Sequence, residues 1–145
     1  MVETPKTELK ILLVEDNPAD VKLLENLFMS SRFEVKLRVA QDGEEALRVL
    51  SHSSFEGKED PDMILLDLNL PKIDGQEVLA RVKAHRGLKQ IPVLILTSSN
   101  NQGDFELAKQ NHADDYMIKP TGIKDFSALV NHIEDFWLNF KGKMA

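Results

Sequence analysis

Three polar groups in this sequence follow directly on a run of apolar residues, and a fourth ends one. Glu15-Asp16 follow "KILLV" (10–14), Asp67 follows "MILL" (63–66), Thr97-Ser98-Ser99 follow "PVLIL" (92–96), and "YMIK" (116–119) ends on Lys119 before Pro120. Taken singly, each has an ordinary structural use. A strand-end aspartate commonly caps a helix, Glu15 and Asp16 can favour a helix N-terminus, Thr97 to Asn100 can be a capping run, and Lys119 can be a solvated lysine. Gathered at one place they describe chemistry. Three carboxylates in proximity repel one another, and burial raises the cost, so a cation belongs to the arrangement. All-oxygen ligands with no cysteine and no paired histidine favour Mg²⁺. His52, His85, His112 and His132 are scattered with no ligand spacing and read as surface or packing residues. Three negative charges against Mg²⁺ and Lys119 then sum to zero. A phosphoryl group reaching Asp67 would meet the metal, the ammonium and the Thr97 hydroxyl, which stabilise phosphoryl transfer by electrostatics and positioning. Asp67 would then be a nucleophile forming an acyl phosphate.

Such a meeting requires parallel strands, because only then do the residues after each strand share one edge. Strand-like and helix-like segments do alternate along the chain. Asn17-Pro18 has the form of an N-cap and first helical residue, opening a segment with Val21, Leu24, Leu27 and Phe28 on one face. "EVKLRVA" (34–40) alternates strictly between polar and apolar, which predicts an edge strand with one wet face. Asp42 to Glu45 caps a short helix carrying Ala46, Leu47 and Leu50. A polar loop over 51–62 leads to "MILL", and Asp74-Gly75 opens a helix with Val78, Leu79 and Val82. Five strands alternating with helices predict a parallel sheet covered on both faces, whose ligands bind beyond the carboxyl ends of the strands.

The 145 residues suit one domain, taken as 1–145 with a core over about 9–140. A net charge of −6 argues against a nucleic-acid surface. No segment reaches the roughly 20 apolar residues of a membrane span, so a soluble cytoplasmic protein is expected.

The set "VEDN" (14–17), "ILLDLNLPKIDG" (64–75), "LTSS" (96–99) and "YMIKP" (116–120) resembles the receiver domain of two-component response regulators. The resemblance covers the chain from about Leu9 to the last helix. It implies an α/β flavodoxin-like receiver fold, a five-stranded parallel sheet of order 2-1-3-4-5. It also implies that Asp67 accepts phosphoryl from a sensor histidine kinase. Glu15 and Asp16 would hold Mg²⁺ directly or through water, and Asn69 would offer its backbone carbonyl. Thr97 and Lys119 would contact the phosphoryl oxygens, Tyr116 would be an aromatic switch, and the Lys119-Pro120 bond would be cis. The sequence departs from the commonest pattern in three places: Glu15 stands for Asp, Thr121-Gly122 follow Lys-Pro, and the 51–62 loop is long. That loop and "IEDFWLNF" (133–140) are similar to single-domain regulators partnered with phytochrome-type kinases. A downstream protein target is implied, with no attached output domain.

Other classes fit less well. An aspartyl phosphatase of the haloacid dehalogenase type carries D-x-D after its first strand, where this chain reads "EDN". A flavodoxin needs a Thr/Ser-rich phosphate loop there, and this turn is acidic. A pseudo-receiver acting only by docking would not need the intact acid set. In the last helix, Phe126, Leu129, Val130, Ile133, Trp137 and Phe140 share a stripe. A helix over 124–140 would be about 25 Å long at ~1.5 Å per residue, so its last turns should overhang the sheet. Trp137 and Phe140 would then mark a homodimer surface with "YMIK", unless the 51–62 loop or the N-terminal segment covers them.

Overall fold

Continuous apolar runs form the middle of the sheet, and the alternating run forms its edge. The computed structural model describes residues 5–56, 60–120 and 123–144. Strands β1 (Glu8–Val14), β2 (Glu34–Ala40), β3 (Met63–Leu66), β4 (Val93–Thr97) and β5 (Asp115–Ile118) lie in the order β2-β1-β3-β4-β5. All four pairings are parallel. Every residue of β3 is buried, as a central strand covered on both faces requires. In β2, Glu34, Lys36 and Arg38 are exposed while Val35, Leu37 and Val39 are half-buried, the edge pattern that the alternation predicts.

Side chains alternate across the strands and build two cores. Leu9, Ile11, Leu13, Met63, Leu65, Leu94 and Leu96 pack with Leu24 and Phe28 of helix α1 (Pro18–Phe28) and with α5 (Ile123–Met144). Leu12, Val14, Ile64, Leu66, Val93 and Ile95 pack on the opposite face. There they meet α2 (Gly43–Glu56), α3 (Gly75–Ala84) and α4 (Gln102–Gln110). The helix starts follow local chemistry. Asn17 Oδ1 accepts from the Ala19 amide at 2.9 Å with Pro18 in the first turn, and Asp74 Oδ1 accepts from Glu77 at 3.0 Å.

Two expectations need correction. The loop anticipated over 51–62 is helical as far as Glu56, because no glycine or proline interrupts the segment before Gly57; residues 57–59 lie outside the described residues. The last helix runs to Met144, yet Trp137 is only 8% exposed and belongs to the core with Leu9 and Phe33. The turn after α1 is fastened to the same helix. Ser31 and Arg32 hydrogen-bond Glu134 in α5, and Lys6 Nζ donates to the Ser31 carbonyl at 2.6 Å. Trp137 is therefore a core residue rather than an exposed anchor.

Candidate functional site

Register decides what meets at the carboxyl edge. Val14 pairs with Leu66, so Glu15 and Asp67 emerge side by side, with the Asp67 amide donating to the Val14 carbonyl at 3.0 Å. Leu66 pairs with Ile95 and Thr97 with Ile118, which brings the ends of β4 and β5 to the same place. The Lys119 amide donates to the Thr97 carbonyl at 2.7 Å and fixes the start of the lysine side chain. No peptide bond among the described residues is cis, so Lys119-Pro120 is trans, contrary to the expectation. The trans isomer is the favoured one by about 0.5–1 kcal/mol, and the lysine reaches the acids from it. Thr121-Gly122 lie outside the described residues.

The Lys119 ammonium donates to Asp67 Oδ2 at 2.9 Å and forms ion pairs with Glu15 Oε1 at 2.5 Å and Asp20 Oδ2 at 3.0 Å. One ammonium thus serves three carboxylates. The remaining oxygens of the two buried acids take backbone amides. Glu15 Oε2 accepts from Asn17 at 3.1 Å, and Asp67 Oδ1 accepts from Asn69 at 3.0 Å. Glu15 and Asp67 are buried, whereas Asp16 is exposed at the mouth. One carboxylate oxygen from each of Glu15, Asp16 and Asp67 lies within 4.8 Å of the others. Hard oxygen donors at that spacing suit a divalent cation.

The electrostatics show the strain of the arrangement. Burial pushes the Glu15 carboxyl up to about 7, and the Asp67 charge adds to this, outweighing the bonds from Lys119 and Asn17. Burial would lower the Lys119 ammonium, but hydrogen bonds to Glu15, Asp67 and Asp20 hold it above the usual lysine range. An acid pushed up chiefly by burial, beside a second buried carboxylate, sits at a site short of positive charge. A divalent cation supplies it.

Backbone shape also serves the site. A Cβ on Gly75 would stand 2.3 Å from the Asp67 carbonyl oxygen and 2.5 Å from Leu68 Cα, so only glycine lets α3 begin against the backbone of Asp67. Thr97 is fully buried, and its Oγ1 accepts from the Ser99 amide at 3.3 Å. Tyr116 stands half-exposed beside β4, its hydroxyl donating to the Ser99 carbonyl at 3.2 Å and its ring edge-to-face on Phe105 at 5.3 Å.

The structure thus brings together Glu15, Asp16, Asp67, Asn69 and Lys119, with Thr97 at the adjoining strand end and Tyr116 one layer outward. Asp20 is the residue that sequence reasoning missed. Its signal was present: "EDNPAD" (15–20) places it three residues after the Asn17 cap, in the first turn of α1.

Comparison with known proteins agrees with this geometry. A family model described as the response regulator receiver domain matches residues 11–131. Response regulator Rcp1 of Synechocystis sp. is 42% identical over 129 residues, covering 88% of either chain. The crystal structure of Mn(2+)-bound Rcp1 is similar at a TM-score of 0.81 and 41% identity, over 92% of this chain and 95% of that one. The phosphorylated cyanobacterial phytochrome response regulator RcpA gives a TM-score of 0.82 at 39% identity, over 93% and 95%. With the strand order, the acid cluster and these relatives in agreement, the chain belongs to the response regulator receiver domain family.

Proposed function

We infer that Asp67 accepts a phosphoryl group from a sensor histidine kinase. Mg²⁺ would be held by Glu15, Asp16, Asp67 and the backbone carbonyl of Asn69. The observation that carries this reading is Lys119, a largely buried ammonium bonded at once to Glu15 and to the proposed nucleophile. An Asp67 oxygen attacks phosphorus while the phosphorus–nitrogen bond to the donor's imidazole breaks, its electron pair remaining on that nitrogen. Mg²⁺ held by these residues would supply positive charge for the phosphoryl oxygens. Lys119 neutralises a further oxygen, and the Thr97 hydroxyl donates to another. As Thr97 turns toward the phosphoryl group, Tyr116 gains room to leave the Ser99 carbonyl and move inward. The outcome is a population shift between two surfaces, read by a downstream protein. The change is made on the protein itself and signals, rather than turning over a released substrate. The name of RcpA supports a kinase of the phytochrome type, which would place the protein in the cytoplasm.

Incubation with Mg²⁺ and a small acyl phosphate should add one acid-stable, base-labile phosphoryl group, and Asp67→Asn should remove it. Equal labelling of that variant overturns the assignment. Tyr116 ring signals unchanged by Mg²⁺ and beryllofluoride would count against the switch.

Self-association is a second reading, supported by the exposed apolar residues Ile118 of β5 and Leu138 of α5. A homodimer built on this C-terminal helix should become monomeric with Leu138→Glu by light scattering. A wild type that stays monomeric with and without beryllofluoride ends the idea.

A further inference from the structure

The three bonds of Lys119 are not equivalent, and the difference assigns a task to Asp20. The ammonium is paired with three carboxylates at once, so an arriving phosphoryl oxygen must compete with one of them for it. Glu15 holds the shortest bond, 2.5 Å, and its side chain is 1% exposed. Asp67 is the proposed nucleophile, and its side chain is 5% exposed. Asp20 holds the longest bond, 3.0 Å, from a side chain 22% exposed. Releasing Asp20 costs least, because water reaches its carboxylate and can replace the ammonium. Among the described residues Asp20 is also absent from the acid cluster whose oxygens lie within 4.8 Å of one another. It is tied to the lysine and not to the metal position.

We propose that Asp20 is a positioning residue that restrains phosphoryl arrival by pairing with the Lys119 ammonium until a phosphoryl oxygen displaces it. The inference rests on the reading that Asp67 is the phosphoryl acceptor. In that transfer an Asp67 oxygen bonds phosphorus, and the donor's leaving group departs with the electron pair of the broken bond. Asp20 takes no part in either bond. It acts through its charge, which opposes an incoming anion, and through its competition for the ammonium.

Asp20→Asn keeps an oxygen that can accept from Lys119 but removes the charge. With Mg²⁺ at neutral pH, the variant should take phosphoryl from a dianionic acyl phosphate about three- to tenfold faster than wild type. The gain should be smaller with a monoanionic phosphoramidate and should shrink as salt screens the charge. Asp20→Glu should restore the wild-type rate. A reading without chemistry accompanies these: beryllofluoride with Mg²⁺ should bind Asp20→Asn several-fold more tightly, while Mg²⁺ alone binds within about threefold of wild type. An Asn variant equal to or slower than wild type, or accelerated equally with both donors, overturns the proposal. So does a loss of Mg²⁺ affinity beyond about tenfold, which would place Asp20 in the support of the metal site instead. A wild type that takes no phosphoryl at Asp67 overturns the parent reading, whereas a labelled wild type matched by the variant overturns only the role of Asp20.

Discussion

Two buried carboxylates on opposite sides of the protein are held in opposite ways. Glu134 in α5 is surrounded by donors. It accepts from the Ser31 hydroxyl, from the Arg32 amide at 3.2 Å and from Arg32 Nε at 2.9 Å. Its neighbour Asp135 takes a separate guanidinium nitrogen, Arg32 Nη2, at 2.9 Å. Glu15 at the carboxyl edge shares a single ammonium with Asp67 and Asp20. One acid is satisfied and fastens the last helix to the turn after α1. The other is left short of positive charge, the condition under which a divalent cation would be favoured there. Burial of a charge is thus a poor guide to purpose, and the number of opposite charges around it is a better one.

The contrast breaks most readily at Glu134. Glu134→Ala strands the buried Ser31 hydroxyl and should cost about 2–3 kcal/mol, seen as a lower midpoint in urea, while Mg²⁺ binding is retained. Next in size is Glu15→Gln in metal-free buffer. The folded pKa of Glu15 is raised to about 7 from 4.5, so the folded state holds its proton more tightly than the unfolded one. Its contribution is therefore full below pH 4.5 and is lost as pH rises toward about 7. Above that pH the Gln variant should be more stable than wild type by about 1–3 kcal/mol. The advantage should vanish at low pH, where Glu15 is itself neutral. Denaturation series at several pH values read this difference.

A third test uses the cation. A Mg²⁺ ion held by Glu15 would displace its proton, so the affinity should fall by up to about tenfold per pH unit below neutrality, measured by calorimetry. Glu15→Gln should flatten that dependence. The smallest effect belongs to the exposed partner of Arg32. Asp135→Asn should move Tm by no more than ~2 °C, in contrast to its buried neighbour Glu134. A large shift there would mean that the Arg32 cluster depends on net charge rather than on the donors around one acid.

Much of this was legible in the residues. Uninterrupted apolar runs gave the central strands, alternation in 34–40 gave the edge, and strand-end polar residues gave the acid set and its lysine. What remained hidden depended on tertiary packing. Helix α4 carries little apolar signal because Ala108 is its one buried residue among those described. Trp137 joins a core with Leu9 and Phe33, far away in sequence, while Ser31 and Arg32 fasten the nearby Glu134. Asp20 stood in plain view in an acidic turn. Only the approach of β5 shows that it shares the lysine of the site.

The central claim is that the acids of the carboxyl edge are short of positive charge until a cation arrives. Carbon-13 carboxyl resonances followed against pH test it most directly. In metal-free buffer Glu15 should titrate with a midpoint near 7, and with saturating Mg²⁺ that step should disappear from the neutral range. A metal-free Glu15 midpoint at the ordinary value of about 4.5, unmoved by Mg²⁺, would contradict the account.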